Sequence, residues 1–146
     1  MVSRADIVAE ARAWIGTPYL HQASLKGIGC DCLGLVRGVW REIYGGEPET
    51  PPPYTRDWAE ARGRETLAEA AGRHMVPVAL GMIRRGDVLL FAMKDRSPAK
   101  HCAILTAPDR MVHSIEAHPV AEVSLWRGGD RSRRLRFAFS FPDLAD

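Results

Sequence analysis

Apolar positions at helical spacing mark the first stretch of the chain. Ile7, Ala11 and Trp14 share one face, Ser3 stands where a helix cap belongs, and Gly16 and Pro18 stop the pattern, which predicts a helix over 4–15. A loop, GTPYLHQASLKGIG, leads to a second helix whose apolar face is Leu35, Val36, Val39, Trp40 and Ile43, closed by Gly45 and Gly46. The segment EPETPPPYTRDW (47–58) is too proline-rich for a regular element and is expected to cross the surface as a loop. A third helix is expected over 59–73. From Gly86 onward the texture changes to short apolar or alternating runs: DVLLFAM, HCAILTA, RMVHSIE, PVAEVSL and RLRFAFSF, separated by Pro, Gly, Asp and Arg. These predict an antiparallel meander of five strands. Helices first and strands afterwards imply an α+β fold, with the second helix packed on one face of the sheet.

Composition narrows this picture only a little. The 146 residues suit one domain spanning 1–146, and 26% charged with 46% apolar residues is the balance of a folded globular chain. A net charge of +2 gives no case for nucleic acid. The local excess RGGDRSRRLR (127–136) is expected to be a solvated loop, with contact to an anionic polymer or a neighbouring protein as the alternative. Cysteines at 30, 32 and 102 lack any disulfide-scaffold spacing, and their odd number leaves at least one unpaired within a monomer, which favours folding in a reducing compartment. The start of the chain, MVSRADIVAEARAW, lacks the pattern of a signal peptide, and no apolar run reaches membrane-spanning length. The expectation is a protein made in the cytoplasm, without membrane insertion, and carried elsewhere by something other than a signal peptide if it works outside.

The candidate chemistry centres on Cys32, in GCDCLGL (29–35), where a loop meets the start of the second helix. A helix N-terminus stabilises a thiolate and offers backbone N–H groups that can hold an oxyanion. His101 opens the run HCAILTA and His113 lies in RMVHSIE, so a base and its orienter are available. Directly opposed residues of an antiparallel hairpin have a constant sum of residue numbers. A three- or five-residue loop centred on Ala107 would therefore set the two imidazoles side by side, whereas a two-residue Pro108-Asp109 turn would put them on opposite faces. The assignment is Cys32 as nucleophile, His101 as general base and later acid, and His113 bonded to the distal nitrogen of His101. Cys30 and Cys102 are expected to be small apolar fillers, and His21, His74 and His118 to be solvated. A zinc site drawn from Cys30, Cys32, His101, Cys102 and His113 is the competing reading. It is disfavoured because Cys-X-Cys is not the usual knuckle spacing and adjacent strand residues point apart. No metal or cofactor is implied.

Four stretches taken together carry a family resemblance: WIGTPY (14–19), DCLGLVRGVW (31–40), RRGDVLLF (84–91), and HCAIL with MVHS (101–105 and 111–114). The chain resembles the NlpC/P60 family of cell-wall cysteine peptidases over roughly 12–45 and 80–125. That resemblance implies a trimmed papain-like fold, with N-terminal helices on an antiparallel sheet of about five to six strands. It matches Cys32, His101 and His113 to the catalytic triad, Tyr19 to a tyrosine lining the substrate cleft, and Asp31 to an acidic residue that helps receive the peptide's amino group. It also implies hydrolysis of peptidoglycan stem peptides, at the γ-D-glutamyl to diaminopimelate bond or a related one. One departure is Leu33, where the family usually has Ser. GCDCLGLVRGVWRE with GTPYLHQAS looks most like the stand-alone versions found in phage tails and gene transfer agents. That likeness implies a phage-like tail hub or baseplate as partner and the periplasmic cell wall as the place of action. Arg131, Arg133, Arg134 and Arg136 are weaker candidates for reading the stem peptide, and Gln22 for an oxyanion hole. The alternative is a mainly structural tail-tip component with an idle site, docking through Tyr54 and Trp58 as exposed residues of the Pro-rich loop.

Overall fold

Ser3 caps the first helix, α1 (Arg4–Ala13), through a reciprocal box: its hydroxyl accepts from the Asp6 N–H while the Asp6 carboxylate accepts from the Ser3 N–H. The computed structural model describes residues 1–55, 63–126 and 134–146. Helix α1 ends two residues before the expected 15, and Trp14 is buried at its end. The second helix, α2 (Cys32–Tyr44), stops at Gly45 in the left-handed conformation that glycine adopts at low cost. It crosses α1 closely. A Cβ on Gly38 would come within 2.1 Å of the Trp14 ring, so a glycine inside a helix, unfavourable by propensity, is what lets Trp14 seat. A third helix, α3, spans Thr66–His74; the part expected at 59–62 lies outside the described residues.

The loop between α1 and α2 contains a miniature hairpin, β1 (Ser24–Leu25) with β2 (Gly29–Cys30). The main sheet is six-stranded and antiparallel. Its strands are β3 (Val76–Val78), β4 (Val88–Ala92), β5 (Ala99–Ala107), β6 (Arg110–His113), β7 (Ala121–Ser124) and β8 (Leu135–Ser140), in the order β3-β8-β4-β5-β6-β7. All five expected strands are present. They do not form a simple meander, however: β4 to β7 follow one another, but β8 returns to the far side of β4, and β3 joins beyond it. Strand β3 escapes sequence reading because Val-Pro-Val argues against a strand, yet on a sheet edge the missing proline N–H costs no ladder bond. Alternate residues of β4 serve two cores. Val88 and Leu90 join Ile7, Trp14, Leu35 and Val39 beneath the helices, while Leu89 and Phe91 join Ala103, Leu105, Met111 and Leu125 on the other side.

The RRGD turn before β4 anchors the first helix. Asp87 is fully buried and accepts a 2.6 Å hydrogen bond from Arg4 Nη1, which also donates to the Arg85 carbonyl; the Arg84 N–H donates to the second carboxylate oxygen. Removing the cation would strand a buried carboxylate. Arg4→Met is therefore expected to cost about 3–5 kcal/mol in a urea unfolding titration, several times the effect of replacing an exposed arginine.

Candidate active site

Asp31 sets the start of α2. It is the N-cap, and its Oδ1 accepts from the Gly34 N–H at 2.7 Å. Gly34 has to be glycine, because a Cβ there would stand 1.8 Å from the Ala23 carbonyl oxygen. The loop is thereby pressed onto the first turn. Ser114, next to His113, donates to the Cys30 carbonyl at 2.9 Å and ties the approach to the helix to the end of β6. Cys32 is the first helical residue, partly buried, with its Sγ 3.8 Å from the Lys100 carbonyl oxygen of β5. The N–H groups of Cys32 and Leu33 belong to the first turn and have no intrahelical acceptor.

The two histidines meet, by a route the sequence does not foretell. The hairpin has the two-residue Pro108-Asp109 turn, with Ala107 opposite Arg110, which alone would have put His101 and His113 on opposite faces. A β-bulge then intervenes: Leu105 faces Met111 and Ala103 faces His113, so Thr106 is the extra residue and the parity is restored. The histidines are consequently offset along the ladder rather than directly opposed, His101 lying opposite Phe91 of β4. His101 Nε2 lies 3.0 Å from His113 Nδ1, the rings are edge-to-face, and both residues are buried. With Nε2 engaged, Nδ1 is the nitrogen left to face Cys32.

The Cys32 thiol is held well below its ordinary ionisation range. The largest cause is a hydrogen bond from Cys102; a hydrogen bond from His101 and the charge of that imidazolium act in the same direction, against burial and the Asp31 carboxylate, which push it up. Cys30, by contrast, is pushed up to about 11, chiefly by burial, and is inert at neutral pH. Cys30 and Cys102 are both buried members of the core beneath the helices.

A cleft of about 160 Å³ opens over the sulfur and is lined by Tyr19, Asp31, Cys32, Tyr54, Lys100 and His101 among others. Tyr19 is held there by a bridge to Cys30. Asp31 is only 3% exposed, and besides Gly34 its carboxylate accepts from the Gln22 N–H at 2.8 Å and from the Tyr54 hydroxyl. Three of its roughly four acceptor positions are thus filled. Asp31→Ala is expected to destabilise the fold by about 3 kcal/mol, through the lost cap and the donors left unpaired, read as a lower midpoint in thermal or urea unfolding.

Several expectations change here. Tyr54 is not an exposed docking residue: its hydroxyl bonds Asp31 and its carbonyl accepts from Gln22 Nε2, so the Pro-rich segment is fastened to the cleft. Burial and that carboxylate push the Tyr54 phenol well above its usual range, so it stays protonated and donates. Gln22 spends its side-chain amide on the Tyr54 carbonyl and does not line the cleft. His21 is not simply solvated either; its Nε2 lies 2.8 Å from the same carbonyl and its ring packs edge-on against Tyr54. Trp58, Arg131 and Arg133 lie outside the described residues. Among the described residues, no group of three His, Cys, Asp or Glu is arranged to hold a metal ion. Leu33 separates the cleft from an adjoining, mostly apolar cavity of about 390 Å³ between α2, α3 and the Pro-rich segment, and it lines both.

Comparison with known proteins places this geometry in a family context. The NlpC/P60 family model matches residues 16–135. A γ-DL-glutamyl hydrolase of Bacillus subtilis is 26% identical over 114 residues, which is 78% of this chain but only 24% of that protein, so the chain spans about a quarter of its relative's length. Among solved structures, the NlpC/p60 domain of the peptidoglycan hydrolase SagA superposes with a TM-score of 0.67 at 24% identity, covering 96% of this chain and all of that one. RipD of Mycobacterium tuberculosis, described as a non-catalytic NlpC/p60 domain protein adapted to peptidoglycan binding, superposes with a TM-score of 0.58 at 11% identity, covering 95% and 96% of the two chains. The fold by itself therefore does not decide between catalysis and binding.

Proposed function

We propose that this chain, which belongs to the NlpC/P60 family of peptidoglycan hydrolases and peptidases, is a cysteine endopeptidase that hydrolyses peptidoglycan stem peptides. The observation that carries the reading is the relay from Cys32, at the N-terminus of α2, through His101 to His113. A non-catalytic member of the fold has no need of a thiol kept ionised beside an imidazole.

In this reading the resting pair is a Cys32 thiolate and a His101 imidazolium. The imidazolium donates from Nε2 to His113 Nδ1, which requires a neutral His113 carrying its own proton on Nε2. The thiolate attacks the scissile carbonyl carbon, and negative charge develops on oxygen near the first-turn N–H groups of α2. As that intermediate collapses the C–N bond breaks, His101 gives its proton to the leaving amine, and a thioester remains on Cys32. His101, now neutral, takes a proton from water as the water attacks the thioester; the acid leaves and the thiolate–imidazolium pair is restored. Tyr19 would line the bound stem, and the remaining acceptor position of Asp31 would receive its free amino group.

The bond proposed is γ-D-glutamyl to diaminopimelate, a choice supported by the family resemblance and by the γ-glutamyl specificity in the name of the Bacillus relative. The setting proposed is a phage-like tail acting on the periplasmic wall, supported by the likeness of GCDCLGLVRGVWRE and GTPYLHQAS to tail-borne members. The test is mass spectrometry of diaminopimelate-type peptidoglycan after incubation with the protein, beside Cys32→Ala. New stem fragments from the wild type alone are expected, and their termini name the bond. Intact stems in both would favour a structural or binding role.

A further inference from the structure

We propose that Lys100 is a specificity-determining residue of the cleft: its ammonium group pairs with the free α-carboxylate of the γ-glutamyl residue whose carbonyl Cys32 attacks, and so selects acidic stems over amidated ones. The proposal deepens the hydrolase reading and rests on the cleft over Cys32 being the place where the stem binds.

Strand β5 delivers this lysine through an irregularity in its register. Phe91 faces His101 but Ala92 faces Ala99, so Lys100 is the extra residue of a bulge. On a regular strand position 100 would share the helix-facing row with Cys102 and Ile104, both members of the core beneath the helices. A lysine is almost never tolerated in such a place. The bulge seats Ala99 in that core instead, fully buried, and leaves Lys100 half-buried at its edge. Every other residue from Ala99 to Thr106 is buried. Contacts hold the bulge on both sides. The Ala99 N–H donates to the Glu65 carboxylate, at the start of α3, at 3.0 Å, and the Lys100 carbonyl lies 3.8 Å from Cys32 Sγ.

Lys100 therefore stands beside the nucleophile and lines the cleft with it. The surrounding charges define what it can do there. Among the described residues lining the cleft it is the one lysine or arginine, set among the Asp31 and Glu116 carboxylates, the Cys32 thiol and the imidazoles of His21 and His101. A thiolate and two carboxylates repel an acidic peptide, and the His101 imidazolium gives up its proton during the reaction. Lys100 supplies a positive charge that persists through the cycle.

The γ-linkage provides the matching group. It joins the stem through the side-chain carbonyl of glutamate and leaves the α-carboxylate free, so the scissile carbonyl and a negative charge are the two ends of one residue. With that carbonyl at Cys32 Sγ, the carboxylate falls within the range of a flexible lysine stem rooted in the adjacent backbone. Amidation of the glutamyl residue removes the charge while keeping its size. A charge-assisted hydrogen bond in a half-buried cleft is worth roughly tenfold in affinity.

The experiment measures binding, in the full chain carrying Cys32→Ala so that the peptides stay intact. Three stem peptides are titrated and followed by nuclear magnetic resonance: L-alanyl-γ-D-glutamyl-diaminopimelate, its D-isoglutamine form, and the form with L-lysine in place of diaminopimelate. With Lys100 present, the acidic peptide is expected to bind about tenfold more tightly than the isoglutamine peptide. Lys100→Met should erase that difference by weakening only the peptides that carry the glutamyl carboxylate. Lys100→Arg should preserve the preference and Lys100→Glu should reverse it. Equal weakening of all three peptides, or no change, overturns the proposal. A loss confined to the peptides containing diaminopimelate also overturns it, by moving the contact to the second carboxylate of that residue. Failure of the acidic peptide to bind when Lys100 is present overturns it as well. If the methionine variant does not fold, the arginine and glutamate variants decide, and the same preference in both sinks the idea. Digestion of acidic and amidated peptidoglycan by the wild type and by Lys100→Met tells the two readings apart. Cleavage with an unchanged preference removes this proposal alone, whereas carboxylate-selective binding through Lys100 without wild-type cleavage removes the hydrolase reading alone.

Discussion

Cys32→Ala is expected to abolish stem-peptide cleavage, by at least about 10⁴-fold in kcat/KM, while the chain stays folded. The loss is large because covalent catalysis has no partial substitute: with the sulfur gone, only binding and the N–H groups of the first helical turn remain. The fold should hold because the elements that place Cys32 do not depend on its sulfur. Asp31 still caps α2, Gly34 still admits the Ala23 carbonyl, and Ser114 still holds the Cys30 carbonyl. Peptidoglycan digestion followed by mass spectrometry, with far-ultraviolet circular dichroism and a thermal melt on the same samples, measures both halves. Cleavage by the alanine variant at wild-type rate would remove Cys32 from the mechanism. Loss of cleavage together with loss of fold would leave its chemical role unproved, and Cys32→Ser, nearly isosteric and a far weaker nucleophile, would then decide it.

His101→Ala is expected to reduce kcat/KM by about 10³-fold and His113→Ala by about 10²-fold. The order follows from position. His101 touches the sulfur and moves the proton that the leaving amine needs, whereas His113 acts one bond further out, at 3.0 Å from His101 Nε2, by fixing which nitrogen of that ring carries the proton and where the ring points. His113 is also neutral in this scheme, so losing it removes orientation and one hydrogen bond but no compensating charge. His113→Asn, which can present an oxygen acceptor to His101, should recover part of the alanine loss. Equal losses at both histidines would contradict the division of roles, and no loss at His101 would contradict the relay itself. The acid side of the pH–rate profile should lie well below that of an ordinary thiol, since activity rises as Cys32 ionises and the Cys102 and His101 contacts favour ionisation.

The 390 Å³ cavity beyond Leu33 gives the Ser-to-Leu departure a structural meaning. In the first turn of α2 a small polar side chain would leave a polar wall between the cleft and this space, whereas Leu33 makes the wall apolar on both sides.

Much of this molecule is written in short-range pattern. The spacing of Ile7, Ala11 and Trp14, the apolar face of α2, the arrest at Gly45, the five strand runs and the position of Cys32 at a helix start all depend on residues a few positions apart, which a sequence displays directly. The family resemblance rests on the same local stretches. What the sequence leaves undetermined is how strands are offset and which distant segments lean on one another, because those are settled by the packing of the whole core. Pro108-Asp109 does form the tight turn that alone would have separated His101 from His113, and a single extra residue at Thr106 brings them back to one face. A second extra residue, at Lys100, offsets the start of β5 against β4, and its carbonyl lies 3.8 Å from Cys32 Sγ. Tyr54 reaches Asp31 across 23 residues of chain, through a proline-rich segment that has no periodicity to read. Local periodicity thus specifies the elements and the nucleophile, while bulges and long-range hydrogen bonds, each a compromise among many simultaneous packing constraints, decide what surrounds it.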